Sequence, residues 1–373
     1  MLVFSRQRKD SSGGPRLRRQ AVMALGVGAM AAAMLAAPIG AGASVRHSKL
    51  TPLQQGMKFY KGKTITLIEP GSTGGPFDLY ARALAPYLGA YLHATVNVED
   101  ITTGNTITGQ DAMAAAKPDG LTIGMLNVLN DISLSVTHTA GLNFNPARLA
   151  FIAQAGQSTS VLVANPSSSF KTFSQVKSSG SPVSILTENS GTDNLILRVW
   201  MGVLGVKTNF VSGYIKLTDL VQGFLRGDAP VSLISLSNSG ALIAAQKAVP
   251  LAVTVQPAPG TLYRSSLTHL PTLASLLAQY PAKSKLATSQ YDAMLAMSKA
   301  GGTPLVTQTR VPNAEVVALR AAAKFTFKAG GFKAQMLKDG LNPTYNDPVT
   351  AKQAYITSLA KGSTIACFIT ASC

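Results

Sequence analysis

The run from Lys63 to Asp78, "KTITLIEPGSTGGPFD", constrains the fold of this chain more than any other stretch. Its first seven residues alternate β-branched and apolar side chains and predict a buried strand, Lys63 to Glu69. The chain then passes a loop of Pro, Gly, Ser and Thr into a predicted helix from Pro76 to about Leu88. Pro76 suits the first helical turn, where its missing N–H costs nothing, and Pro86 is expected to kink or end the last turn. The rhythm then repeats. "ATVNVE" (Ala94 to Glu99) is a second strand, "TITGQDAMAAAK" a short helix stopped by Pro118, and "LTIGML" (Leu121 to Leu126) a third strand after the turn Asp119-Gly120. A second block carries strands at Ser160 to Asn165, Val183 to Glu188, Val231 to Leu236 and Pro250 to Gln256, with helices near Asp193 to Leu204 and Leu217 to Arg226. Alternation of this kind predicts mostly parallel α/β sheets. Near the C-terminus, Asn313 is expected to cap a helix with Val316, Leu319, Ala323 and Phe327 on one face. Pro348 opens another, with Val349, Ile356 and Leu359 on its apolar side and its end at Gly362.

At 373 residues with 46% hydrophobic and 13% charged content, the chain can bury two cores and is not a disordered sequence. Its net charge of +17 is uneven: Arg6, Arg8, Lys9, Arg16, Arg18 and Arg19 face only Asp10 within the first 43 residues, leaving about +12 on the rest. Those first residues have the layout of an export signal. A basic segment ending "RLRRQ" precedes an apolar run from Ala21 to Ala37, and Ala41-Gly42-Ala43 offers the cleavage site. Arg18-Arg19 fits twin-arginine export but "QAVM" after it does not, so that route and general secretion both stay open. The apolar run, rich in Ala and Gly, is shorter than the roughly 20 residues of a membrane span, which favours cleavage over anchoring. No cysteine follows it to accept a lipid. The expectation is a soluble exported protein, in the periplasm or extracytoplasmic space, with residues 44–59 as an unpatterned linker arm. The two cysteines, Cys367 and Cys373, can close a small loop in an oxidising compartment, the alternative being two thiols on a frayed end.

The remaining lysines and arginines are scattered, without a basic stripe or interleaved aromatics, so no nucleic-acid footprint is visible, and the charge points to small anions. Catalytic constellations are missing from the sequence. The four histidines, His47, His93, His138 and His269, lack metal-ligand spacing, and there is no G-x-S-x-G elbow or phosphate loop. Ser174 and Lys177 match S-x-x-K without its companion motifs. No metal, cofactor or enzymatic activity is expected.

The glycine loop carries the chemistry. A strand that enters a helix through "GSTGG" leaves backbone N–H groups at the helix start, and the macrodipole favours an anion there. Ser72 and Thr73 add hydroxyls, and Gly74 and Gly75 permit close approach. The same residues would also make an ordinary capped turn. Asp78, in the first helical turn, would repel a second carboxylate; it can instead cap free N–H groups or accept a hydrogen bond from a ligand hydroxyl or amino group.

"EPGSTGGPFDLYAR", then "VNVED" and "AAAKPDGLTIGML", resembles in order the segments V-P-F-P-x-G-G-x-x-D-x-x-A-R, V-V-V-E-N and A-x-A-x-P-D-G-Y-T-L of the solute receptors of tripartite tricarboxylate transporters, the Bug-type extracytoplasmic binding proteins. Fainter likeness continues through "YIKLTDLVQGFLRGDAPVSL", "YRSSLTHLPTLASL" and "LKDGLNPTYNDP", so that the resemblance spans about Tyr60 to Leu359. It implies two α/β lobes of the type II periplasmic-binding architecture around a ligand cleft: residues 60–160 with 250–373, and residues 161–249, with crossings near Val161 and Val249. It further implies a monomeric receptor that closes on a small organic acid and is read by the membrane permease subunits of such a transporter. Carried over residue by residue, Ser72, Thr73, Gly74, Gly75 and Asp78 fall on the family's first binding loop, Ser190, Gly191 and Thr192 on its second, and Tyr214 and Ser235 face the same cleft. The sequence departs from the family at Glu69, where an apolar residue is expected, at Asn189 and at "TTGNT" (102–106), and Glu188 adds an acid near the second loop. These departures point to a ligand other than a simple dicarboxylate, with amino or hydroxyl groups, or to lost transport. A secreted enzyme or sensory partner on the same two-lobe frame is the alternative reading.

Overall fold

The computed structural model describes residues 49–369 apart from positions 105, 138–142, 189–191, 215, 282–284 and 301. The export-signal segment therefore lies outside the described residues. Lys49 onward is one compact unit built on two sheets. The first has the order β11-β4-β10-β3-β1-β2 and the second β7-β6-β8-β5-β9. In chain order the strands are β1 (Thr64–Glu69), β2 (Thr95–Asp100), β3 (Thr122–Met125), β4 (Ala150–Ala155), β5 (Ser160–Ala164), β6 (Val183–Glu188), β7 (Thr208–Tyr214), β8 (Val231–Ser235), β9 (Val249–Val253), β10 (Thr303–Thr307) and β11 (Tyr345–Asn346).

Both sheets are mixed, with two parallel and three antiparallel pairings in the first and two of each in the second, which corrects the expectation of mostly parallel pairing. In the first, β1 runs parallel to β2 and β3, as strand-helix-strand units require, while β10 and β11 return antiparallel against β3 and β4. In the second, β6 is parallel to β7 and β8, and β5 antiparallel to β8 and β9. The chain leaves the first sheet between Ala155 and Ser160. The proposed return at residue 250 falls inside β9, which pairs with β5, so the backbone stays with the second sheet through Val253 and next adds a strand to the first at Thr303.

Helix α1 (Pro52–Tyr60) takes the second half of the expected linker arm. Thr51 and Gln54 close a capping box around Pro52, and Gly56 and Tyr60 are buried. A Cβ at Gly56 would lie 2.1 Å from the Ala314 carbonyl oxygen, so only glycine lets α1 lie this close to the helix Asn313–Lys328. Long-range packing decided this element, and a local reading does not see it. Helix α2 (Pro76–Leu92) runs through Pro86 and ends on His93 in the left-handed region. The helix Asn313–Lys328 buries Val316, Leu319, Ala323 and Phe327 as expected, with Pro312 rather than Asn313 at the N-cap. The helix Pro348–Lys361 turns the other way: Ala351, Tyr355 and Ser358 are buried, and Val349 is 76% exposed. Its buried face holds polar groups because Tyr355 reaches a buried carboxylate, a pattern that hydrophobic periodicity misreads.

Tyr80, Leu84, Leu88, Ile65 and Leu67 fill the core beneath the first sheet with Phe327 and Phe332. A second, larger core holds Trp200, stacked on Phe173 with ring centroids 6.3 Å apart, and joins residues of both sheets through Met294, Met297 and Tyr355. Cys367 is disulfide-bonded; Cys373 lies outside the described residues. No helix among the described residues is long and apolar enough to cross a membrane.

Candidate functional site

A cleft of about 770 Å³ opens where the two sheets meet. One wall is the carboxyl end of the first sheet: the β1–α2 loop contributes Ser72, Thr73 and Gly75, the segment after β2 contributes Thr102, Thr103, Gly104 and Thr106, and Asn127 follows β3. The opposite wall comes from the second sheet, with Ser160, Glu188, Ser235, Lys216 and Thr218. Val128, Leu129, Ile196 and Leu217 add apolar surface, and Gln157, Ser158, Gly302 and Thr303 line it where the chain passes between the sheets. Sites at strand carboxyl ends follow from the topology, because loops there can converge without disturbing the sheets. Glu188 and Lys216 are the charged side chains lining it among the described residues.

The first loop is built as its sequence suggests. Gly74 has φ of 78°, where glycine carries no Cβ penalty, and Gly75 is an N-cap without a side-chain hydrogen bond. A Cβ at Gly75 would stand 2.8 Å from the Ser72 carbonyl oxygen, to which the Gly75 N–H donates at 2.8 Å. The helix start is nevertheless served from within. Gly74 N–H donates to Asp78 Oδ2 at 2.8 Å, and Gly71 N–H to Glu69 Oε1 at 2.6 Å. Ser72 and Thr73 line the cleft, and their N–H groups donate to no group among the described residues.

Asp78 is thus a cap rather than a cleft residue. It is 3% exposed and pairs through Oδ1 with Arg82 Nε at 2.6 Å, while Arg82 Nη2 reaches Asp100 Oδ2 at 2.7 Å. Of the two roles open to it in sequence, the fold uses capping, because the carboxylate folds back over its own helix start. Gly74 likewise shapes the loop without lining the cleft. Tyr214 points elsewhere: its hydroxyl donates to Asp228 Oδ2 at 2.6 Å, and the ring covers Gly223. Ser190 and Gly191 lie outside the described residues; Thr192 opens the helix Thr192–Val203, with only its backbone described. Ser72, Thr73, Gly75 and Ser235 come together in the cleft. Sequence reasoning missed Thr103, Thr106, Asn127, Ser160 and Lys216 as lining residues. Lys216 sits two residues after Tyr214, and "TTGNT" marked the other loop only as a departure.

Beneath the cleft lie two buried carboxyls. Glu69 is fully buried at the end of β1, and its second oxygen, Oε2, has no hydrogen-bond partner. Burial pushes its pKa up to about 7; the Gly71 N–H opposes the shift, Asp100 and Asp78 add to it, and Arg82 draws it down. A carboxylate oxygen from each of Glu69, Asp78 and Asp100 lies within 4.8 Å of the others, and the Arg82 guanidinium is the cation in contact with two of them. Asp131, also fully buried, accepts from Gln110 Nε2 at 2.9 Å and from the Tyr355 hydroxyl at 3.0 Å. Desolvation raises it to about 7 against those two bonds. Gln110 Nε2 also donates to Thr106 Oγ1 at 3.1 Å, as does Asn130 Nδ2 at 3.0 Å, so the network braces the cleft floor.

No protein-family model matches the chain, and no curated protein matches it in sequence. Solved structures do match in shape. The periplasmic binding protein BugD superposes with a TM-score of 0.65 at 18% identity, covering 82% of this chain and 96% of its own. MatC from Rhodopseudomonas palustris, with bound malate, gives 0.65 at 16% identity over 82% and 99% of the two chains. Rpa4515 of R. palustris, with adipate, gives 0.65 at 16% over 83% and 97%. The fold is that of a two-lobe periplasmic binding protein. At such identities the likeness speaks for architecture, and the ligand must be argued from the cleft.

Proposed function

We propose that the protein is an extracytoplasmic solute-binding protein that captures a small organic carboxylate between its two sheets, without turnover, and presents it to the permease of a tripartite tricarboxylate-type transporter. One observation supports the reading: the cleft is lined by Ser72 and Thr73, in the loop that leads into a helix, and by Ser235 and Lys216 on the side of the other sheet. Amides and hydroxyls suit a carboxylate, and a lysine adds a charge-assisted bond. That MatC and Rpa4515 were solved with malate and adipate in the same fold supports the class of ligand. Glu188 on the same wall disfavours a second carboxylate near it and suits a hydroxyl or amino group. Export to the periplasm and action as a monomer belong to the same proposal.

Native mass spectrometry of freshly purified protein, followed by thermal shift with a panel of C4 to C6 mono- and dicarboxylic acids, tests it. The expected result is a co-purifying acid, with stabilisation of about 2.7 kcal/mol at a hundred times its Kd. Turnover of an ester or acyl substrate, or indifference to every organic acid tried, refutes it.

A further inference from the structure

Glu69 is the one buried carboxyl of the first loop that no cation touches. Arg82 is committed to Asp78 and Asp100 at 2.6 and 2.7 Å, while Glu69 has Oε1 on the Gly71 N–H and Oε2 on nothing. Arg82 is half exposed and Asp100 lies at the surface, whereas the Glu69 carboxyl is fully buried, where an uncompensated charge is costly. Among the described residues, the other elements packed on Glu69 bring no further charge to it. Strand β3 on one side of β1 carries no titratable residue, Asp100 faces it from β2, and Asp111, on the helix Ile107–Ala115, turns to Asn143. Directly above Glu69, Pro70, Gly71, Ser72 and Thr73 form the cleft wall.

We propose that capture of an anion by this loop is coupled to protonation of Glu69, so that the protein binds its ligand as an acid-favoured, proton-linked receptor. The coupling rests on the carboxylate-binding reading above. With Glu69 ionised, a ligand carboxylate at the Ser72 and Thr73 amides meets a second negative charge across one loop, in a poorly solvated setting where like charges repel strongly. With Glu69 protonated, that repulsion is removed, and the Gly71 N–H keeps its bond to Oε1 because a neutral carboxyl oxygen still accepts. Ligand and proton then stabilise one another reciprocally: the bound anion raises the proton affinity of Glu69 as much as the proton raises the affinity for the anion. The pKa near neutrality argued above puts this coupling in a range where small changes in external pH matter.

Isothermal titration of the co-purifying acid, or of malate if none is retained, tests the coupling at pH 6.0, 7.0 and 8.5 in buffers of differing ionisation enthalpy. For the wild type the affinity should fall at least about fivefold from pH 6.0 to 8.5, with roughly 0.4 of a proton taken up per ligand at pH 7.0. Glu69→Gln keeps an acceptor for Gly71 N–H and a donor toward Asp78 and Asp100; its affinity should change less than about twofold over the same range, with no proton uptake. Binding of equal strength at all three pH values in the wild type overturns the coupling and leaves the carboxylate reading standing. A pH dependence that persists unchanged in Glu69→Gln overturns it too, by placing the proton elsewhere. Absence of binding by any organic acid at any pH overturns both readings together.

Discussion

Asp131 gives the sharpest test of how this fold handles buried charge. Burial pushes its pKa in the fold up to about 7 from the ordinary aspartate value of 3.8, and a tenfold change in proton affinity corresponds to about 1.36 kcal/mol. Because the folded pKa is raised, the native state binds more protons than the unfolded chain between pH 4 and 7. The stabilising contribution is present below pH 4 and is lost as pH rises through neutrality. Integrated over that window, ionising Asp131 lowers stability by up to about 4 kcal/mol, less whatever native relaxation recovers. Asp131→Asn keeps the shape, accepts from Gln110, and turns an N–H toward the Tyr355 hydroxyl, which can accept. The variant should therefore match the wild type within about 1 kcal/mol at pH 4 and exceed it by several kcal/mol at pH 8.5. Urea unfolding, followed by fluorescence of the buried Trp200, reads both values. Glu69 contributes a slope of the same sign, so the difference between variant and wild type is the quantity to use. A difference that stays constant from pH 4 to 8.5 refutes the reasoning, because it would mean that Asp131 carries the same protonation in both states.

Asp78→Ala removes a cap and one of the two partners of Arg82, and should cost about 1 to 2 kcal/mol by denaturant unfolding, with ligand preference unchanged; altered selectivity without a stability loss would return Asp78 to the cleft. Gly56→Ala should destabilise, against the roughly 1 kcal/mol that helix propensity favours, since its Cβ would enter the Ala314 carbonyl; a higher midpoint in thermal unfolding would show α1 is not held that closely. Lys216→Met should weaken acid binding about tenfold and reduce its salt dependence, measured by calorimetry at two ionic strengths. Thr73→Val should lose a hydrogen bond, about 1 kcal/mol of affinity, with the midpoint of the unliganded protein unmoved.

Strong local signals carried much of the architecture. β6 and the helix Leu217–Arg226 occupy the spans their residues indicate, because a buried strand and an amphipathic helix each write their period directly into the chain. The loop after β1 was legible for the same reason: strand, glycines and Pro76 follow one another in eight residues. The sequence alone thus determined the strand-helix rhythm, the location of one cleft wall and an anomalous acid at Glu69. Tertiary structure decided what those residues do. β10 and β11 turn the first sheet mixed from more than a hundred residues away, α1 exists because Gly56 meets Ala314, and Tyr355 inverts the expected face of its helix by reaching Asp131. Asp78 became a cap and Tyr214 a partner of Asp228, while Lys216 and Thr106 entered the cleft. A side chain's partner depends on backbone brought near by distant pairing, whereas its period depends only on its neighbours, and for that reason the elements could be read along the chain and most of the contacts could not.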